Sequence, residues 1–171
     1  MNKKPDKKMV MKKLAIYAVA AILLIVVVFT LKIGLGSKGS GDKETAASMI
    51  KDSDIVIQVK DVSEKPAFYP AEINGTNIEV IAVKASDKTI RTAFNTCQVC
   101  YNSGKGYYKV EGNQLVCQNC GNRFGMDDVE VSKGGCNPVP ITDKYKKVND
   151  KTITITRDVL TEAASIFENW K

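Results

Sequence analysis

The sequence predicts a mainly β domain of the α+β class, with a C-terminal helix and one N-terminal transmembrane helix. Three observations support this prediction. Runs rich in β-branched residues alternate with turn residues between residues 55 and 94, the apolar residues after residue 158 have helical spacing, and residues 14–31 carry no charge. The length of 171 residues allows one ordinary domain with appendages.

A long apolar run near the N-terminus predicts a membrane anchor. Residues 14–31 read LAIYAVAAILLIVVVFTL, and a helix of this length spans roughly 27 Å, close to the thickness of the hydrocarbon core. Six lysines precede the run, so residues 1–13 are expected to form a basic cytoplasmic tail under the positive-inside rule. A cleaved secretory signal is the alternative, but its apolar core is normally only about 7 to 15 residues long. We expect a single-pass cell-membrane protein with its helix over residues 14–33.

The composition changes beyond the anchor. Residues 34–43, GLGSKGSGDK, are typical of a flexible linker, so residues 44–171 are expected to form one extracytoplasmic domain. Removing the six lysines and one aspartate of the tail from the totals of 25 basic and 19 acidic residues leaves 19 and 18. A nearly neutral domain lacks the basic face that nucleic-acid binding needs, and we expect no nucleic-acid partner.

The first part of the domain predicts antiparallel strands. Ile55–Val59 is rich in β-branched residues and fits a strand. Pro66 and Pro70 enclose Ala67–Tyr69, which limits that piece to an edge strand. Asn74-Gly75 predicts a hairpin turn, because both residues tolerate positive φ. Two more strands are then expected, one half-buried over residues 77–82 and one over residues 90–94 that continues into the first cysteine.

The C-terminal part predicts a strand followed by a helix. Residues 152–156, TITIT, alternate as a strand does. From Val159 onward the apolar residues fall on one face of a helix, which Thr156 or Asp158 can cap. Phe167 and Trp170 are expected to pack on the sheet.

All five cysteines lie between residues 97 and 136. Cys97 and Cys100 form one Cys-x-x-Cys pair, and Cys117 and Cys120 form a second. Two such turns at the ends of a hairpin can direct four thiolates to a tetrahedral site, which suits Zn²⁺ or iron. With no histidine in the chain, any transition-metal site must be rich in sulfur. We predict a zinc-ribbon-like metal site with these four cysteines as ligands.

The residues between the two pairs predict a β-hairpin. Gly112-Asn113 fits a two-residue turn with glycine first, which pairs Glu111 with Gln114. Tyr108 and Val110 then share one face, which can cover one side of the metal site. This register also places Val110 opposite Leu115 and Tyr108 opposite Cys117. Gly121 directly follows Cys120, where such a turn often needs positive φ.

Two roles besides metal binding stay open for the cysteines. Two disulfides can form outside the cell. Thiol exchange at a thioredoxin-type site needs a Cys-x-x-Cys at the start of a helix, and neither pair is followed by a helical pattern. Cys136, between Gly134-Gly135 and Asn137-Pro138, fits a fifth sulfur near the centre, an alternative ligand, a resolving thiol or a small buried residue.

The segment RTAFNTCQVCYNSGKGYYKVEGNQLVCQNCGNRFG, continuing to GGCNPVPI, resembles the FtrD-like membrane iron–sulfur protein family, and the similarity covers roughly residues 65–141. The resemblance implies an iron–sulfur protein linked to iron uptake beside a permease. It further implies Cys97, Cys100, Cys117 and Cys120 as cluster ligands, with Cys136 as the remaining cysteine of the family. The spacing differs from the common ferredoxin patterns, so mononuclear iron and zinc stay open alternatives.

The expected function is electron transfer by a cysteine-ligated iron–sulfur or iron centre that serves an iron permease or another redox membrane protein. One alternative is a structural zinc module that presents a binding or metallochaperone surface, and another is an extracytoplasmic thiol oxidoreductase. Neither a Ser/His/Asp set nor a phosphate-binding loop is present, so hydrolytic chemistry has little support. A non-enzymatic role is favoured, and no pocket for a small-molecule substrate is predicted.

Overall fold

The structure is a computed structural model that describes residues 48–171. The predicted tail, membrane helix and linker therefore lie outside the described residues. In the described part the chain is mainly β, with one short C-terminal α-helix. None of the helices in residues 48–171 has the length and apolar character needed to cross a membrane. The strands are β1 (Ile50–Lys51), β2 (Ile55–Gln58), β3 (Ala67–Ile73), β4 (Thr76–Lys84), β5 (Ile90–Cys97), β6 (Tyr108–Glu111), β7 (Gln114–Cys117), β8 (Arg123–Gly125), β9 (Pro138–Pro140), β10 (Lys147–Val148) and β11 (Thr152–Ile155), and the helix is α1 (Arg157–Ala163).

A five-stranded sheet forms the centre of the domain, in the order β1-β3-β4-β5-β9. Its pairs are antiparallel except β1 with β3. The predicted hairpin between β3 and β4 is confirmed, and its turn residues Asn74 and Gly75 have φ of 49° and 82°. Positive φ at both positions is what a type I′ turn requires, and this turn sets the register of the two long strands.

Strand β3 is longer than the sequence predicted. The expected edge piece, Ala67–Tyr69, continues through Pro70 to Ile73. Pro70 is tolerated because β1 pairs with β3 only at Ala71 and Glu72, so the missing N–H of the proline is not needed on that side. The prediction of an edge position is therefore confirmed for the first half of the strand only.

Strand β4 was predicted to be half-buried, and this is wrong for its C-terminal half. Ile78, Val80 and Ala82 face one hydrophobic core, as expected from the alternation. Ile81 and Val83 point to the opposite face, and both are fully buried in a second core. The central sheet therefore separates two cores, and the second contains Cys97, Cys100 and Cys117. A sheet covered on both faces loses the polar alternation that marks a solvated face.

The first core is closed by α1 and the three-stranded sheet β10-β11-β2. Phe167 and Trp170 pack edge-on with ring centroids 5.2 Å apart, and both are buried against the central sheet, as predicted. The predicted side-chain caps of the helix are not formed. Instead Asp54, just before β2, accepts a hydrogen bond from the backbone N–H of Arg157 at 2.8 Å. A cap supplied from so far along the chain has no local sequence signal.

The third sheet, β6-β7-β8, contains the predicted cysteine hairpin. Its register is as expected, with Glu111 opposite Gln114 and Tyr108 opposite Cys117. Strand β8 was not predicted. The buried Asn95 of β5 joins this sheet to the rest of the domain: its Oδ1 accepts the Tyr108 N–H at 2.8 Å, and its backbone carbonyl accepts the indole N–H of Trp170.

Candidate metal centre

The five cysteine sulfurs meet at one end of the second core. Those of Cys97, Cys100, Cys117 and Cys136 all lie within 4.8 Å of one another. The Sγ atom of Cys136 is 3.2 Å from that of Cys97 and 3.9 Å from that of Cys100. Cys120 lies outside this group of four, but its Sγ is 2.8 Å from that of Cys136. Each of the five cysteines singled out in the sequence is therefore at the site or directly beside it.

The first Cys-x-x-Cys turn begins where β5 ends at Cys97. The pairing of β5 with β9 is irregular between Phe94 and Cys97, and such a bulge changes the direction in which the following side chain points. The backbone N–H groups of Val99 and Cys100 donate to the Cys97 sulfur at 3.4 and 3.3 Å. These donors stabilise negative charge on the sulfur, which favours a thiolate ligand.

The second Cys-x-x-Cys turn follows β7. The N–H of Gly121 donates to the Cys117 carbonyl at 2.9 Å, and the Cys117 N–H donates to the Asn122 carbonyl at 3.0 Å. Gly121 has a φ of 73°, which confirms the predicted positive φ after Cys120. The turn leaves Cys117 buried and Cys120 exposed.

Cys136 is brought to the centre by a tight loop. Gly134 and Gly135 both have positive φ, 80° and 71°, which glycine adopts without strain. The carbonyl of Cys136 accepts two hydrogen bonds, one from the hydroxyl of Tyr108 at 3.0 Å and one from Asn122 Nδ2 at 2.9 Å. Two side chains thus fix the backbone of Cys136: that of Tyr108 in β6 and that of Asn122 in the turn between β7 and β8.

Further contacts fix this loop at both ends. Gln98 contacts the loop twice. Its backbone N–H donates to the Asn137 carbonyl at 3.0 Å, and the side-chain oxygen of Gln98 accepts a hydrogen bond from the Gly134 N–H at 3.2 Å. In the chain just before the loop, the Glu130 carboxylate accepts a hydrogen bond from the backbone N–H of Thr92 at 2.8 Å. The same carboxylate forms an ion pair with the buried Lys146 at 2.6 Å. Nothing in the sequence indicated that Gln98, Asn122 or Glu130 would support this site.

Tyr108 covers the centre from the side of the third sheet, as predicted. It is only 1% exposed, and its hydroxyl lies 4.0 Å from the Cys136 sulfur. Val110 was predicted to share this role, which is wrong, because this residue is 40% exposed near the turn of the hairpin. The alternation of the strand places both residues on one face, but the second core extends only as far as Tyr108.

The thiols differ in acidity in the metal-free chain. Burial raises the pKa of Cys100 to about 11 and also raises that of Cys136. Burial acts in the same direction on Cys97, but the N–H donors of Cys100 and Val99, together with hydrogen bonds from Cys136 and Tyr108, outweigh it and lower the pKa of this thiol. A hydrogen bond from Cys136 and the backbone N–H of Asn122 lower the pKa of Cys120 to about 7. A thiol at the surface is thus acidic, while two in the interior are not.

The donor set fits a sulfur-ligated metal. Four thiolates around one ion suit Zn²⁺ or iron, and a metal–sulfur distance of about 2.3 Å gives a tetrahedral edge of about 3.8 Å. The 3.9 Å separation matches that edge, and the 3.2 Å separation is shorter than it. The sulfurs therefore need only small movements to bind one ion.

Comparison with protein-family models agrees with this donor set. Residues 62–167, more than half of the chain, match the model described as "Membrane iron-sulfur containing protein FtrD-like". The chain belongs to the FtrD-like family. The matched segment contains all five cysteines and extends from just before β3 through α1. Comparison with the curated proteins gives no match, and comparison with the solved structures gives none either.

Proposed function

We propose that this FtrD-like protein is a membrane-anchored electron-transfer protein whose cysteine-bound iron serves the uptake of iron or another metal. The observation that carries the proposal is the convergence of four cysteine sulfurs within 4.8 Å in a chain of a family described as membrane iron–sulfur proteins. Bound iron would supply one-electron chemistry, and the residues around it would hold it and set its potential.

Three features of the site suit electron transfer. The Val99 and Cys100 N–H donors to the Cys97 sulfur spread the charge of a thiolate, which raises the potential of an iron centre. Tyr108 keeps water from one side because its ring is buried in the second core. Cys120 brings a sulfur to the surface, where a partner protein could approach closely enough to exchange electrons.

The proposed location follows from the sequence together with the family description. The apolar run over residues 14–31 and the lysines before it favour a single anchor with the metal domain on the extracytoplasmic side. A linker rich in glycine and serine would let the domain reach a permease or another redox protein in the same membrane.

A second candidate function is that of a structural zinc module, which is supported by the burial of three of the cysteines. Cys97, Cys100 and Cys117 are buried members of the second core, where a closed Zn²⁺ site would stabilise the fold. Thiol exchange has weaker support, because in the described part of the chain neither Cys-x-x-Cys pair begins an α-helix.

The experiment is anaerobic purification of the full-length chain in detergent, followed by metal analysis, absorption spectroscopy and EPR. Electron transfer predicts bound iron, with visible absorption that changes reversibly on reduction. A colourless protein with one tightly bound zinc would support the structural module and contradict the proposal. Metal-free protein with mass-mapped Cys97–Cys100 and Cys117–Cys120 disulfides would also contradict it, in favour of thiol exchange.

A further inference from the structure

We infer that the centre holds a single metal ion bound by Cys97, Cys100, Cys117 and Cys136, and that Cys120 stays outside the ligand set as an exposed thiol. This inference rests on the metal centre of the proposed function and deepens it. It differs from the ligand set expected from the two Cys-x-x-Cys pairs, since it replaces the last cysteine of the second pair with the isolated Cys136.

The distances between sulfurs favour one ion over a cluster. In a cubane iron–sulfur cluster each cysteine thiolate binds a different iron and points away from the cluster. The distances between the thiolate sulfurs are therefore longer than the distances between the irons. Thiolates on one ion lie about 3.8 Å apart, given a metal–sulfur distance of about 2.3 Å. All four sulfurs of the buried set lie within 4.8 Å of one another, and two of their separations are 3.2 and 3.9 Å. This spacing is closer to that of thiolates on one ion than to that of thiolates around a core of several irons and sulfides.

The surroundings of the two candidate fourth ligands favour Cys136. Its sulfur lies 3.2 Å from that of Cys97 and 3.9 Å from that of Cys100, and it belongs to the four sulfurs within 4.8 Å of one another. Cys120 is not in that group, although its thiol contacts those of Cys136, Cys117 and Cys100. Two hydrogen bonds fix the Cys136 carbonyl, from Tyr108 and Asn122. A ligand held in this way is already oriented for the metal, so binding orders little additional chain.

Cys120 has the opposite character. It lies at the solvent-exposed end of the second turn, with its sulfur 2.8 Å from that of Cys136. A thiol in this position neighbours a ligand without being needed to complete a tetrahedron. The loaded protein should therefore present one reactive thiol at the edge of the centre, while the other four are protected by the metal.

The first test uses the wild-type chain and needs no variant. Full-length protein reduced under anaerobic conditions is loaded with Co²⁺ or Zn²⁺, alkylated with iodoacetamide and mapped by mass spectrometry. One modified cysteine per chain, at Cys120, is the expected result. Modification of Cys136 with protection of Cys120 would overturn the inference in favour of the two Cys-x-x-Cys pairs, and protection of all five would overturn it in favour of a larger centre.

A matched pair of variants gives the second test. Cys120→Ser should bind Co²⁺ with one ion per chain and the intense visible bands of a tetrahedral thiolate site, unchanged from wild type. Cys136→Ser should lower the affinity for Co²⁺ by at least about 10-fold, in line with the loss of a ligand or of its supporting contacts. The reverse pattern, or equal effects of the two substitutions, would overturn the assignment.

These readouts separate the inference from the proposed function. Cobalt and zinc report the ligand set whichever metal is native. The finding of native zinc would therefore contradict the electron-transfer function without contradicting the ligand assignment. Acid-labile sulfide in the anaerobically purified protein should be absent. Two or four sulfides per chain would overturn the single-ion inference while leaving electron transfer supported.

Discussion

At the scale of single residues, the five cysteines are chemically unequal although the sequence presents four of them as two equivalent pairs. Cys97, Cys100 and Cys117 are core residues, Cys136 is partly buried, and Cys120 is exposed. Their environments also separate their acidities, since the pKa of Cys120 is lowered to about 7 while that of Cys100 is raised to about 11. Reactivity in the metal-free protein should follow these differences, because the thiolate is the nucleophile.

Alkylation of the metal-free, reduced chain should therefore begin at Cys120. At pH 7 about half of a thiol with a pKa near 7 is thiolate, against a fraction on the order of 10⁻⁴ for a pKa near 11. The rate at Cys120 should level off above pH 8, while the rate at Cys100 should still rise at pH 10. Rates from mass-mapped iodoacetamide labelling between pH 5.5 and 10 test this. Labelling in urea is the control, and equal rates in the folded chain would contradict the prediction.

At the scale of elements, the two Cys-x-x-Cys turns depend on how closely the neighbouring backbone approaches them. Gly106, between the first turn and β6, is buried, and its carbonyl accepts the Cys97 N–H at 2.7 Å. A Cβ atom at this position would overlap the Cys100 carbonyl group, which is backbone and has little freedom to move. Glycine is required here by close packing and not by positive φ, so no turn signal marks it in the sequence.

Gly106→Ala should therefore displace Cys100 and weaken metal binding by about 10- to 100-fold, the range seen when support for a ligand is lost. Gly112→Ala is the matched control: its added methyl group meets no atom within 4 Å, and its φ of 64° costs backbone strain at the far end of the hairpin. Competition of a chromophoric chelator for Zn²⁺ measures both affinities. A larger loss in the control than in Gly106→Ala would contradict the role of close packing.

At the scale of the whole described domain, the central sheet separates a core that contains cysteines from a core that contains none among the described residues. The first core is formed by the central sheet, β2, β11 and α1, and it contains no cysteine among the described residues. The second core has three cysteines among its ten buried members. Loss of the metal should thus loosen the cysteine side of the sheet first, since stability is distributed unevenly between such units.

Hydrogen exchange should show this division. After removal of zinc by a chelator under reducing conditions, peptides from residues 97–136 should lose protection, while peptides from residues 76–83 and 152–163 should keep most of it. Exchange measured by mass spectrometry with and without metal tests the prediction, and restored protection on adding Zn²⁺ is the control. Uniform loss of protection would show that the whole domain depends on the metal.

The predictions that succeeded rest on local rules. The turns at Asn74-Gly75 and Gly112-Asn113 and the positive φ of Gly121 follow from which residues tolerate left-handed backbone. Burial of Phe167 and Trp170 follows from helical spacing. The failures required distant partners: the second core behind β4, the Asp54 cap of α1 and the exposure of Val110 depend on segments far apart in the chain.

The sequence alone predicts a sulfur-rich site in this chain, because cysteine spacing and the absence of histidine are local and compositional facts. It also determined the main strands and the C-terminal helix, since periodicity and turn chemistry act over a few residues. The grouping of Cys136 with Cys97, Cys100 and Cys117, and the exposure of Cys120, become visible only in the folded chain. The reason is physical: which sulfurs converge depends on how β5, β7 and the Gly134-Gly135 loop pack together in space.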